Sequence, residues 1–270
     1  MRRALGQSRV GHAGTLDPPA TGLLVVLVGR ATRLARFIGM LPKRYAGTVR
    51  FGFETSTDDA AGAPTVHEAD PSPRNDPAAF ARAVESAMAV VAARTEQTPP
   101  PVSAKKLGGV RAYKLVRRGQ SPVMKSVPVQ IHRLAGTWSG APGEGDLSIE
   151  VECSSGTYVR SIARDIGREA GCPAHLADLC RTGIGPWNVG DALELTADLT
   201  EPGTLRPMQE AIAHLPAVIL PEAEAKRFLF GQKIAAEALP GPVAVFDAAD
   251  LLGVADLQDG LLHPDVVLYG

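Results

Sequence analysis

The sequence predicts a large mixed α/β (α+β) domain followed by a small β-rich one. Strand-length apolar runs alternate with helical-period segments through the first two-thirds of the chain. Beyond about residue 215 the pattern changes to short apolar runs separated by turn residues. The chain has 270 residues, 45% apolar and 21% charged, which is ordinary globular composition and enough length to bury a core. The expected division is 1–214 and 215–270.

Leu23–Gly29 is a strand-length apolar run. It leads into a helix over Arg30–Leu41, where Ala31, Leu34, Phe37, Ile38 and Leu41 share one face and Arg30, Arg33 and Arg36 the other. Gly47–Phe53 reads as a strand and Asp58–Pro77 as a loop. Asp76 before Pro77 is an N-cap followed by proline at the first helical position, opening a helix with the stripe Phe80, Val84, Ala87/Met88 and Val91. Thr98-Pro99-Pro100-Pro101 ends the helical region. Residues 97–143 then form a long, partly mobile basic excursion. Asp146–Cys153 reads as a strand. A helix follows Gly156-Thr157-Tyr158 and stops at Ala170-Gly171. It carries Val159, Ile162, Ala163, Ile166 and Ala170 inward and a second stripe of Arg160, Arg164 and Arg168. A last short helix is expected over Ala174–Arg181. In the tail, Glu222–Phe230 reads as a helix ended by Gly231, and Val243–Phe246, Leu251–Leu257 and Val266–Tyr269 as strands.

The net charge of -1 conceals a strong asymmetry. Residues 1–53 hold nine Lys/Arg and one carboxylate, Asp17, while residues 97–143 hold eight Lys/Arg and no acid. Two segregated basic blocks in a weakly acidic protein point to a polyanion partner, since each phosphate contact releases counterions. The competing reading is that these cations pair with the chain's own acidic segments. The longest apolar run, Leu23–Val28, is too short to span a bilayer, and no secretory signal opens the chain. Cys153, Cys172 and Cys180 form no CxxC and lie near no His pair, so each reads as a small buried hydrophobe and the expected compartment is a reducing cytoplasm. No P-loop, dinucleotide fingerprint, nucleophile elbow or metal-binding motif is present, so the expected chemistry uses no metal and no cofactor.

Candidate chemistry gathers in Gly11-His12-Ala13-Gly14-Thr15-Leu16-Asp17-Pro18, a tight loop holding that single carboxylate among nine cations. A carboxylate so placed can be a nucleophile, a base or a stabiliser of a cationic sugar. It can equally be a turn-capping Asp before proline.

The run Gly11–Gly22 resembles the signature of the bacterial TruB-type tRNA pseudouridine synthases. Further pieces agree in order and spacing: Lys43-Arg44-Tyr45, Thr55-Ser56-Thr57-Asp58, Pro101–Lys106, Arg111-Ala112-Tyr113, Cys153–Ser161 and Ala174-His175-Leu176. The resemblance runs from residue 9 to about 187. The tail is similar, less specifically, to the family's abbreviated PUA-like RNA-binding domain.

This resemblance implies a largely antiparallel sheet with helices packed on it, and the isomerisation of uridine 55 in the tRNA T-loop to pseudouridine. Asp17 would be the catalytic aspartate, Arg160 its charge partner, and Tyr45 the ring stacked on the extracted uracil. Tyr158 and Leu179 would line the same pocket, and His12 would be the wedge that fills the gap left by the flipped base. Lys105, Lys106 and Arg111 would hold T-arm phosphates. From the residues alone, Tyr45, Tyr158 and Leu179 also fit core positions, Arg160 a solvated arginine stripe, and His12 a turn. The implied partner is tRNA, with no membrane, no required protein partner and a monomeric state. A catalytically idle tRNA-binding or folding-assisting protein is the rival reading, and an RNA-guided relative a more distant one. Relatives open with a further strand and a Lys-Pro turn, so the chain is expected to be short at its front. Val102 stands where relatives carry an aromatic residue. The tail, with three bases against eight acids over 215–270, is expected to add little RNA affinity.

Overall fold

Alternation along Lys43–Phe51 (β1) buries Val49 and Phe51 on one face of a sheet and turns Thr48 and Arg50 to the other. In the computed structural model the described residues are 1–65, 76–103, 105–116, 118–120, 122–141, 144–201, 203–237, 241–248 and 250–269; the expected loop 58–77 thus lies outside them at 66–75. The chain forms two compact units, each assembled from separate segments: Leu16–Leu23 with Leu41–Ala192, and Met1–Thr15 with Leu24–Met40 and Leu193–Gly270.

In the first of these, Ile131–Ser139 (β2), Asp146–Cys153 (β3) and Ala174–Ile184 (β4) join β1 in the order β2-β3-β1-β4, extended by Trp187–Asn188. All of these pairings are antiparallel; Thr21–Gly22 adds in parallel, beside β4. Leu147, Ile149 and Val151 stand opposite Val49, Gly47 and Tyr45. Their shared face is covered by Pro77–Ala92 (α1) and Val159–Glu169 (α2), whose buried Phe80, Val84, Val91, Ile162 and Ile166 complete one core. Asp76 caps α1 as expected, its Oδ1 accepting from the Ala78 and Ala79 N–H groups at 2.9 and 3.1 Å. Phe80 meets Phe51 and Trp138 edge-on at centroid distances of 5.6 and 5.0 Å, a favoured aromatic geometry.

Ala174–Ile184 is a strand, not the helix its spacing suggests. Register shifts between Leu176 and Asp178 and between Arg181 and Gly183 set the inward residues at 174, 176, 179, 181 and 184. Steps of two and three residues imitate a helical repeat, which is how two bulges disguised a strand.

The opposite sheet face is polar and small, with Ala46, Thr48, Thr137, Ser148 and Glu150 lining a shallow groove of about 530 Å³ that also takes in Cys180. Cys153 and Cys172 are buried as expected, whereas Cys180 is only half-buried. Burial pushes the Cys153 thiol up to about 11. A thiol reagent near pH 7.5 is therefore expected to modify Cys180 alone in the native protein and all three cysteines after unfolding. Rapid native labelling of Cys153, read by peptide mass mapping, would contradict this packing.

The other unit pairs Val10–Ala13 with Val25–Val28 in an antiparallel ladder. The expected helix over Arg30–Leu41 is a 3₁₀ segment, Gly29–Leu34, running into one short α-turn, Ala35–Gly39. No side chain caps either start, and Leu34, Phe37 and Ile38 are buried. The arginines on the other side do not all face solvent. Arg36 pairs with Asp265, Arg33 donates to the Val267 carbonyl, and Arg30 lies 4.8 Å over the Tyr269 ring. This part of the basic block is answered by the chain's own acidic tail. In that tail, Glu222–Leu229 (α3) packs on a five-stranded sheet that includes Gly241–Phe246 (β5), Leu251–Gln258 (β6) and Leu261–Val267 (β7). The last strand begins earlier than its apolar run suggested. Asp259 and Gly260, both at positive φ, form a two-residue hairpin turn, so Leu261 pairs with Gln258 at once, while Pro264 at a register shift obscured the alternation.

Candidate active site

The segment carrying Asp17 is laced to β4. The Leu23 N–H donates to the Arg181 carbonyl at 2.8 Å, the buried Arg181 Nε donates to the Leu23 carbonyl at 2.8 Å, and Thr21 Oγ1 donates to the Leu179 carbonyl at 3.4 Å. Gly22 makes this approach possible. Its φ is +96°, and a Cβ there would sit 2.3 Å from the Arg181 carbonyl oxygen. Gly22→Ala is expected to cost about 2–4 kcal/mol of stability, through strain at positive φ plus a backbone collision. A chemical unfolding midpoint within error of wild type would show that the loop is not held this way.

Within that loop the Ala20 N–H closes a turn on the Asp17 carbonyl at 2.9 Å. The Asp17 carboxylate meets Arg160 at two points: Nε lies 2.9 Å from Oδ2, and Nη2 donates to Oδ1 at 3.1 Å. The Arg160 side chain is only 6% exposed and that of Asp17 39% exposed, so a buried cation presents a partly open carboxylate. The remaining reach of the guanidinium is also taken. Nη1 donates to the carbonyls of Thr57 at 2.9 Å and Val102 at 3.1 Å, and lies 3.4 Å from Asp59 Oδ2. Asp59 is itself held by Thr57 Oγ1 at 2.6 Å and the Ala61 N–H at 3.0 Å. Hydrogen bonds from both terminal nitrogens restrain this cation, and its contact with Asp17 combines one charge-assisted hydrogen bond, from Nη2, with the close approach of a buried Nε that makes no hydrogen bond of its own. Val102 acts here through its carbonyl, so its aliphatic side chain costs this contact nothing.

Tyr45 sits mid-strand in β1, paired in register with Val151 and Arg181, and packs against the main core. Burial pushes its phenol above the usual value. The Arg181 guanidinium, within hydrogen-bonding reach of the hydroxyl, opposes this, and the Asp17 charge adds to it. Burial, with Arg181 beside it, brings Lys43 down to about 8. Tyr158 is the half-buried residue that starts α2. Gln97 clamps its backbone, Nε2 donating to the Tyr158 carbonyl at 3.1 Å and Oε1 accepting from its N–H at 2.8 Å. Leu179 is in the main core, with Ala20 and Tyr45 packed against the same cluster.

Asp17 and Arg160 are thus in direct contact, and Tyr45, in the same unit, is near enough to feel the Asp17 charge. His12 is exposed on the hairpin of the other unit. Lys105 is half-exposed, its Nζ donating to the Lys125 carbonyl at 3.1 Å. Lys106 and Arg111 face each other in a short backbone hairpin, and their side chains lie outside the described residues. Sequence reading did not single out Asp59, Gln97 or Arg181. Asp59 stands in an acid-rich loop with nothing to mark it, and Arg181 was assigned to a helix that is a strand.

The profile of the TruB family pseudouridylate synthase N-terminal domain matches residues 2–159, and that of the pseudouridine synthase II TruB C-terminal domain matches residues 216–268. The chain is 40% identical over 278 residues to "tRNA pseudouridine synthase B" of Thermobifida fusca (strain YX), covering 100% of this chain and 92% of the relative. It is 41% identical over 266 residues to the protein of the same name from Arthrobacter sp. (strain FB24), covering 97% and 84%. Among solved structures, a Cbf5-Nop10-Gar1 complex contains a chain of the same fold, with a TM-score of 0.69 at 20% identity, covering 99% of this chain and 78% of that one. With both profiles matching, over residues 2–159 and 216–268, the chain belongs to the TruB family of pseudouridylate synthases.

Proposed function

We propose that this chain acts on tRNA and converts uridine 55 of the T-loop to pseudouridine, with Asp17 as its catalytic carboxylate. The observation that carries the reading is the two-point contact between a partly open Asp17 and a buried Arg160, with Tyr45 near enough to feel the Asp17 charge. The reaction is an isomerisation. The C1′–N1 bond breaks, the uracil turns, a C1′–C5 bond forms, and C5 loses a proton while N1 gains one. Its atoms balance without a redox or group-transfer reagent. Asp17 attacks or stabilises C1′ as the base leaves. Arg160 keeps the carboxylate aimed, and preorganisation of this kind avoids the cost of reorienting charge during reaction. Tyr45 stacks on the extruded uracil. Tyr158 and Leu179 line the pocket, and His12 replaces the flipped base in its stack.

The same reading assigns residues 1–214 to catalysis and 215–270 to a PUA-like domain, in a monomer that works in the cytoplasm without a protein partner. The test is tritium release by the purified chain alone from a tRNA transcript labelled at C5 of uridine. Release is expected from the normal transcript and not from one with cytidine at position 55. Equal release from both would overturn the site assignment, and no release from either would overturn the activity.

Lys105, Lys106 and Arg111 neutralise T-arm phosphates in this scheme. Replacing all three by alanine is expected to weaken tRNA binding and to flatten the plot of log affinity against log salt by roughly two to three units. An unchanged slope would remove them from the interface.

A further inference from the structure

One turn beyond Arg160 on α2, Arg164 repeats its arrangement with separate partners. Nη1 of Arg164 donates to Asp58 Oδ2 at 2.7 Å, Nη2 donates to the Thr98 carbonyl at 3.0 Å, and Nε donates to Asp165 Oδ1 at 2.9 Å. Ser161 Oγ adds a second bond to the Thr98 carbonyl at 2.9 Å. The same two segments that supply acceptors to Arg160, through Thr57, Asp59 and Val102, are thus tied a second time to α2, through Asp58 and Thr98. Arg164 and Asp58 are each 5% exposed. A desolvated pair of this kind is costly to assemble and rigid once its remaining hydrogen bonds are met.

Asp58 also carries a backbone cost. Its φ is +60°, which a residue with a side chain seldom adopts. Its N–H donates to the Thr55 carbonyl at 3.1 Å, and its carbonyl accepts from the Leu176 N–H at 3.1 Å. This left-handed step sends the Asp58 carboxylate to Arg164 while its two neighbours, Thr57 and Asp59, both meet Arg160. The turn docks this loop on β4 through Leu176, but that backbone contact does not call for a carboxylate at 58, whose only ion pair among the described residues is with Arg164.

We propose that Arg164 and Asp58 form a positioning pair that fixes the acceptors around Arg160 and, through them, the aim of Asp17. The proposal rests on the reading of Asp17 and Arg160 as the catalytic pair. Neither Arg164 nor Asp58 touches the substrate. Loss of the pair leaves RNA binding alone and slows the chemical step, because a small rotation of Asp17 removes it from line with C1′.

Asp58→Gly separates this role from a purely structural one. Glycine accepts φ +60° freely, so the variant keeps the turn and loses only the carboxylate. The measurements are the single-turnover rate of tritium release at saturating enzyme and the dissociation constant for the tRNA transcript. Asp58→Gly is expected to slow the single-turnover rate roughly 10- to 100-fold, the scale of a misplacement by a fraction of an ångström to one ångström, with binding unchanged. The double variant Asp58→Gly/Arg164→Met removes both buried charges together, so neither is stranded, and its rate is expected to be no faster than that of Asp58→Gly, because the tie to the Thr98 carbonyl is lost as well. A wild-type rate in Asp58→Gly overturns the proposal, as does a double variant that regains the wild-type rate, which would mean that Asp58→Gly acted only by stranding the Arg164 charge. Asp17→Asn is run alongside. If it is inactive while Asp58→Gly is fully active, only the positioning pair fails. If Asp17→Asn is fully active, the catalytic reading fails and takes the pair with it.

Discussion

Asp17→Asn is expected to lower tritium release by about 10⁴-fold or more while the protein still folds and still binds tRNA. The scale is that of losing one member of a catalytic unit. Asparagine has nearly the shape of aspartate, so it keeps the loop but cannot attack C1′ or balance a developing positive charge there. It also presents at most one acceptor to Arg160, where the carboxylate presents two. Folding survives because Arg160 retains Asp59 and the Thr57 and Val102 carbonyls, so no buried cation is stranded. Single-turnover release and a filter-binding assay on the same preparation check both halves. A residual rate within tenfold of wild type would mean that the reaction draws on another group.

Arg160→Lys tests the geometry of the pair while keeping its charge. Three guanidinium nitrogens serve Asp17, Asp59 and two carbonyls in one plane; a single ammonium cannot reach all of them. The carbonyls of Thr57 and Val102 lose their donor, at about 1–3 kcal/mol for each buried group left unmet. Asp17 keeps a cation nearby but loses its fixed plane. The expected result is a loss of about 10²- to 10³-fold in the single-turnover rate, the size of removing one preorganised electrostatic contact, with tRNA affinity held within a few-fold. A lysine variant as fast as wild type would show that charge alone suffices and that the two-point contact has no catalytic part.

How far each residue could be read from the chain depended on whether its role is written in its side chain. Asp17 was legible because it is the one carboxylate among nine cations in a glycine- and proline-bounded loop. The α1 stripe and its Asp76 cap were legible because helix periodicity and capping are local. Thr57 and Val102 were not, since both act through backbone carbonyls, which every residue possesses. The Arg160, Arg164 and Arg168 stripe had two readings at one spacing, a solvated face or a set of ion pairs. The choice lay with Asp17, Asp58, Asp59 and Glu54, which reach α2 only because separate segments fold against it. Arg30, Arg33 and Arg36 show the converse. Their cluster looks like a face for an anionic partner, and residues more than two hundred positions away answer it.

By itself the sequence determined the elements that depend on neighbours in the chain: the α1 and α2 helices, the buried face of each strand with unbroken alternation, the β-rich tail and the loop that carries Asp17. Tertiary structure decided whatever depends on distant partners. It made Ala174–Ile184 a bulged strand, gave Gly22 a reason to be glycine, and surrounded Arg160 with acceptors from three separate segments. The physical reason is one of range. Helix caps and periodicity are satisfied within a few residues, whereas desolvating a guanidinium requires acceptors that only the assembled sheet and helices bring within 3 Å or so of it.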